Sequence, residues 1–250
     1  QLSTGGFSFW PGNSQPSYWG TSYAGHFLIE AREQGYLVPE NLISSWINFQ
    51  MEQANQWNRG SYRDHLTQCY RLYTLALAGS PALGAMNRLK ENEGLRGAAR
   101  WALASAYAVA GYEQAANELL EGLTTEIESY RETGGTYGSR QRDQGMILET
   151  LVRLNRQTDA FEMVREISDY MSNIRNWMST QSVTYCLIGI AEFAKSFPPD
   201  DGIDVRVSVE DNEVRVDTDK YINQVTLIEP DGPADIQEIG RASCRERVCH

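Results

Sequence analysis

The stretch Trp19-Gly20-Thr21-Ser22-Tyr23-Ala24-Gly25-His26-Phe27-Leu28-Ile29-Glu30-Ala31, followed by Gly35 and Pro39, sets the grammar of the chain. Tyr23, Phe27, Leu28 and Ala31 recur at helical spacing and put an apolar stripe on one face. Gly35 stops that helix and Pro39 opens the next, which carries Leu42, Ile43, Trp46, Ile47 and Met51. Working outward, the same pattern returns. A third helix is predicted over 64–78, ending at Gly79, with Ser80-Pro81 as cap and first turn of a fourth over 81–90. Further helices are predicted over 95–110, 112–120, 142–154, 158–171 and 179–196. Short connections between them imply antiparallel hairpins. No self-similarity near a period of 34 supports a regular tetratricopeptide array, and the irregular hairpins suit an incomplete α/α toroid of the terpenoid-cyclase-like kind. The fold class expected is therefore mainly α, followed by a short β segment.

That segment begins where the period changes. Pro198-Pro199-Asp200-Asp201-Gly202 breaks the helical pattern, after which Ile203, Val205, Val207 and Val209 alternate with polar residues. A second alternating run holds Val214, Val216 and Thr218, and 221–228 supplies a third. Residues 238–250 resemble one reading frame of a common DNA-sequencing adapter and bear no pattern relation to what precedes them. The expected division is a partial toroid over 1–198, the start of a β-rich domain over 199–237, and a non-native tail over 238–250. The first residues read as mid-protein sequence, so the chain is expected to be a fragment.

Composition narrows the function. A formal charge of −11 repels phosphate backbones and anionic lipid surfaces, which disfavours nucleic acid as a partner. Mean hydropathy is −0.47 and no run approaches the roughly 18 uncharged apolar residues of a membrane-spanning helix. Outside the tail only Cys69 and Cys186 remain, both in apolar helical stretches, where an unpaired cysteine behaves as a small buried hydrophobe.

Several segments, in order and spacing, resemble the bacterial α-2-macroglobulin family, specifically the later part of its helical thioester domain. They are Gly5-Gly6-Phe7-Ser8-Phe9-Trp10-Pro11-Gly12, the opening Trp19–Ala31 stretch, Gly35-Tyr36-Leu37-Val38-Pro39, Tyr70-Arg71-Leu72-Tyr73-Thr74-Leu75-Ala76-Leu77-Ala78-Gly79, Arg142-Asp143-Gln144-Gly145-Met146-Ile147-Leu148 and Trp177-Met178-Ser179-Thr180-Gln181. The resemblance implies an α/α toroid flanked by macroglobulin β domains, in a protein that traps proteases in the periplasm or cell envelope. It implies an endopeptidase inhibitor rather than an enzyme, with target proteases and adjacent macroglobulin β domains as partners and no cofactor. In many members of that family a Cys-Gln thioester acylates the attacker. Its Cys-x-Glu-Gln motif is absent here, since Cys69 is followed by Tyr70-Arg71-Leu72 and Cys186 by Leu187-Ile188-Gly189. The thioester Cys and Gln are thus not in this chain.

Other chemistries compete with plain packing at several positions. His65 and Cys69 are four apart, hence on one helix face, with Asp64 adjacent, and all are zinc-ligand types; no clear third ligand or supporting partner is evident, so the expectation is no metal and a surface histidine beside a core cysteine. His65 is also the one alternative catalytic candidate, by loose analogy with a histidine that assists acyl transfer in complement-related thioester proteins. Trp10, Trp19, Trp46, Trp57, Trp101 and Trp177 are read as core rather than as a carbohydrate platform. Glu52, Asp64, Glu93 and Asp143 could furnish the carboxylate pair of a toroidal carbohydrate hydrolase or lyase, the first alternative function; a helical-repeat interaction module is the second. Arg142-Asp143, behind Gly134-Gly135-Thr136-Tyr137-Gly138, is read as fixing hairpin geometry. Trp177 is expected to pack ahead of a helix capped by Ser179 or Thr180.

Overall fold

The computed structural model describes residues 1–58, 62–198, 203–209, 212–218 and 236–240. The helices are α1 (Tyr18–Glu33), α2 (Glu40–Gln56), α3 (Tyr62–Leu77), α4 (Leu83–Lys90), α5 (Gly97–Val109), α6 (Glu113–Leu120), α7 (Arg140–Arg153), α8 (Gln157–Ser172) and α9 (Thr180–Ser196). The boundaries follow local chemistry. Ser17 caps α1 by accepting the Gly20 N–H at 3.1 Å, and Gly35 leaves the helix with φ +84°, a conformation that needs no Cβ. Pro39 stands just before α2 rather than inside it. The start of α4 differs from expectation. The Ser80 N–H closes back on the Leu75 carbonyl at 2.9 Å, so the chain is still reversing at Ser80-Pro81 and the helix begins at Leu83.

The chain divides into two compact units, Gln1–Ile190 and Ala191–His250. In the first, the odd-numbered helices form an inner row: α3 packs on α1 and α5, and α5 packs on α7. The even-numbered helices lie outside them, α2 against α1 and α3, α6 against α5 and α8 against α7. α9 sits close to α7, where a Cβ on Gly145 would lie 2.6 Å from the Tyr185 carbonyl carbon, so the two backbones touch because Gly145 has no side chain. Tyr185 of α9 also meets Tyr23 of α1, ring centroids 5.9 Å apart, which brings the two ends of the inner row together. This is a mainly α fold of α/α-toroid type.

The core agrees with the helical stripes. Ile29, Ile43, Trp46, Leu72, Leu75, Met86, Leu89, Leu103, Ile147 and Leu148 are fully or almost fully buried. Trp46 lies flat over Gly25, where a Cβ would come within 2.0 Å of the indole, and its Nε1–H donates to the Thr21 carbonyl at 2.8 Å. That glycine lets α1 and α2 approach closely.

In the second unit three strands, β1 (Ile203–Val209), β2 (Asn212–Thr218) and β3 (Ile236–Gly240), form an antiparallel sheet in the order β2-β1-β3. Val205 pairs with Val216 and Val207 with Val214, so the alternating valines share registers. The strand expected over 221–228 lies outside the described residues. β3 runs into the stretch assigned to the tail, with Glu238, Ile239 and Gly240 paired to Val207, Arg206 and Val205.

Candidate functional site

The toroid axis is filled. Trp19, His26, Tyr70, Tyr73 and Tyr185 are buried there, with Trp19 and Tyr70 ring centroids 4.6 Å apart, His26 and Tyr73 5.6 Å apart, and Tyr70 and Tyr185 5.9 Å apart. Some polar atoms within this aromatic packing are matched: His26 Nδ1 and the Tyr70 hydroxyl are 3.0 Å apart, and the Tyr73 hydroxyl donates to Glu149, which also accepts from Arg153 Nη2 at 2.9 Å. Trp19 Nε1, His26 Nε2 and the Tyr185 hydroxyl are buried with no hydrogen-bond partner among the described residues. Burial pushes the Tyr70 and Tyr73 hydroxyls well above the ordinary phenol range, and for Tyr73 the adjacent Glu149 carboxylate adds to that.

Next to the axis, Arg142 and Asp143 form a buried ion pair, Nε to Oδ1 2.6 Å. The Tyr130 hydroxyl donates to Asp143 Oδ2 at 2.6 Å and accepts from Arg142 Nη2 at 3.0 Å, while Arg142 Nη1 reaches the Thr136 carbonyl at 3.3 Å. The guanidinium lies 4.8 Å from the centre of the Trp19 ring. Burial raises Asp143 above the usual carboxylate range, opposed by the Arg142 charge and the Tyr130 hydrogen bond. Gly138 leaves the room this needs, since a Cβ there would come within 2.7 Å of both Arg142 Nη2 and the Tyr130 hydroxyl. The Arg142-Asp143 pair thus fastens 121–139 to the start of α7. Ser139 caps that helix by accepting from the Arg142 N–H, and its hydroxyl lies 2.7 Å from that of Ser182, which is 2.9 Å from Ser179. Ser179 accepts from the Ser182 N–H at 3.1 Å and so caps α9, as the sequence suggested.

A cleft of about 770 Å³ opens between this segment and the chain leading into α9. It is lined by Tyr130, Arg131, Glu132, Tyr137, Arg140, Tyr170, Arg175 and Trp177 among others. Trp177 corrects the sequence reading: it is 60% exposed and takes the Arg131 guanidinium on its ring face at 3.7 Å, so it is not core. Of the other tryptophans, Trp19, Trp46 and Trp101 are buried, Trp57 is half-buried, and Trp10 is exposed.

The remaining candidates sit in settings unlike that of a catalytic pair. Glu52, Asp64 and Glu93 are exposed, whereas Asp143 is buried against Arg142, and the large cleft has Glu132 as its one carboxylate among the described residues. His65 is a second correction, being 6% exposed rather than a surface residue. It packs edge-on against Trp57 at 5.6 Å, and its Nε2 lies 3.4 Å from Asn92 Nδ2. No group of three His, Cys, Asp or Glu side chains able to hold a metal occurs among the described residues. Cys69 and Cys186 are both buried; burial pushes the Cys186 thiol up to about 12 and raises Cys69 as well, leaving neither poised as a nucleophile. The cleft residues Arg131, Arg140 and Arg175 escaped sequence reading because they share no helix face. Their one visible signal is the clustering of arginine around an aperiodic stretch.

No family model matches the chain. It is 28% identical over 194 residues to alpha-2-macroglobulin of Escherichia coli (strain K12), an alignment covering 72% of this chain and 12% of that protein. The chain therefore spans about an eighth of the curated relative's length. In fold it is similar to the C-terminal portion of native E. coli alpha-2-macroglobulin in a crystal structure, with a TM-score of 0.69 and 21% identity, covering 96% of this chain and 37% of the other. It is likewise similar to trypsin-activated alpha-2-macroglobulin from E. coli, with a TM-score of 0.64 and 21% identity, covering 96% of this chain and 16% of that one. The likeness to bacterial alpha-2-macroglobulin read from the sequence is thus found in both sequence and fold.

Proposed function

We propose that this chain is part of a bacterial α-2-macroglobulin-like protein that inhibits proteases by trapping them and is not itself an enzyme. The observation that carries the reading is the sequence similarity to E. coli alpha-2-macroglobulin, which runs through 194 residues. The filled axis, the exposure of Glu52, Asp64 and Glu93 and the burial of Asp143 against Arg142 support it against a toroidal hydrolase, whose chemistry needs two opposed carboxylates in one open site.

On this reading the partners are target proteases, engaged by the intact protein, together with its macroglobulin β domains. The setting is the periplasm or cell envelope. Among the described residues no helix is long and apolar enough to cross a membrane. The division into a toroid over 1–198, a β domain beginning at 199 and a non-native tail over 238–250 belongs to the same proposal.

The test is to recover the full open reading frame from the source DNA and express its product. With trypsin, the intact protein is expected to leave hydrolysis of a small peptide substrate largely intact while blocking that of a large protein substrate. Loss of both activities, or of neither, overturns the trap. A Cys-x-Glu-Gln motif upstream of Gln1 would make capture covalent, because a lysine amine of the protease displaces the thiolate from the acyl carbon. Macroglobulin β domains without that motif leave a steric trap.

A further inference from the structure

The cleft beside α7 and α9 has a composition that the trapping reading does not use. The chain carries −11 overall, yet the charged residues of this lining are Arg131, Arg140 and Arg175 against the single Glu132. Glu132 Oε2 is engaged by the Thr136 hydroxyl at 2.7 Å. Among the described residues no carboxylate lies within ion-pair distance of Arg131 or Arg175. Arg140 reaches Glu166 at 3.6 Å through Nη2, while its Nε is buried with no hydrogen-bond partner among the described residues. Such an orphaned donor is costly unless something supplies an acceptor.

The walls also narrow the ligand class. Trp177, 60% exposed under Arg131, and Tyr137, held at φ +51° and 40% exposed, offer ring surface to the solvent. Residues 129–133 line one side with backbone outside any helix, where Arg131 bridges to Ser139 and the Glu132 N–H donates to the Gly138 carbonyl at 2.8 Å. An extended polypeptide can pair with such a backbone and place alternate side chains on the flanking surfaces. A lone inorganic anion would satisfy the guanidinium groups but leave the rings and most of the 770 Å³ unused. A uniformly charged nucleic acid would be repelled by the rest of the surface.

We propose that this cleft is a binding site for an acidic, extended stretch of polypeptide, with carboxylates held by Arg131, Arg140 and Arg175 and apolar side chains laid on Trp177 and Tyr137. This goes beyond the trapping function and does not depend on it.

The experiment measures fluorescence anisotropy of a labelled peptide of alternating glutamate and leucine added to the full 250-residue chain, beside the same peptide with glutamine for glutamate. The acidic peptide is expected to bind saturably and to weaken as salt rises, since exposed charges are screened. The double variant Arg131→Gln/Arg175→Gln is expected to weaken it about tenfold. Both side chains are exposed, so the melting temperature should hold; a control pair outside the cleft, Arg32→Gln/Arg96→Gln, should bind like the parent. Equal binding of the glutamine peptide, or equal loss in the control pair, overturns the proposal. So does binding of inorganic phosphate or oligogalacturonate at this site when the acidic peptide does not bind.

Discussion

Two helix-to-helix connections in this molecule solve the same problem by opposite means. The link from α1 to α2 is short, and its course is set by backbone: Gly35 at φ +84°, then Pro39 before the next helix, with Leu37 fully exposed and Tyr36 and Phe27 largely so. The link from α6 to α7 is long and lacks periodicity, and buried side chains hold it: Arg142 and Asp143 from the helix, Tyr130 and Thr136 from the link. A tight turn needs only two special residues. A long segment has more conformational freedom to lose, so it must make several strong contacts to stay in one place.

The comparison breaks hardest at the ion pair. Arg142→Met leaves the Asp143 carboxylate buried without its cation and is expected to lower unfolding stability by about 3 to 5 kcal/mol, read from denaturant midpoints. A loss within about 1 kcal/mol would mean that the link is held by other contacts. At the short connection the largest effect should come from the hairpin it joins. Gly25→Ala drives a methyl into the Trp46 ring and is expected to cost about 1 to 3 kcal/mol, and a neutral result would show that α1 and α2 can part freely.

Gly35→Ala tests the turn itself. No atom lies within 4 Å of the added methyl, so only the left-handed backbone is penalised, by about 1 to 2 kcal/mol. Trp177→Ala closes the series: with the ring exposed and the Arg131 guanidinium on its face, a change within about 1 kcal/mol is expected in thermal or chemical melts. A cost of about 3 kcal/mol or more would place it back in the core.

The two connections also separate what the sequence made readable from what it hid. Helices α1, α2, α3 and α9 were legible because apolar residues repeat at helical spacing and Gly35, Pro39, Gly79 and Ser179 punctuate them. The start of α4 was misplaced because the Ser80-to-Leu75 closure is a hydrogen bond between backbone atoms, which no residue type at 80–82 announces. Arg142-Asp143 reads as structural from the sequence, but Tyr130 and Thr136 do not, since nothing periodic ties them to α7. Trp177 and His65 exchanged places with expectation, one outside and one inside, because a single aromatic ring gives no clue to which side of its element is covered. The resemblance to bacterial α-2-macroglobulin was readable because it rests on segments such as Trp19–Ala31 and Arg142–Leu148, where turn residues and close-packed glycines fall together.

The Ser182 hydroxyl lies within hydrogen-bond reach of both Ser139 and Ser179, the two residues that cap α7 and α9. In mechanical terms it is a rivet through two struts. A displacement applied to the first turn of α9 is passed to the first turn of α7 without crossing the aromatic core, so these two helix starts should shift together or not at all.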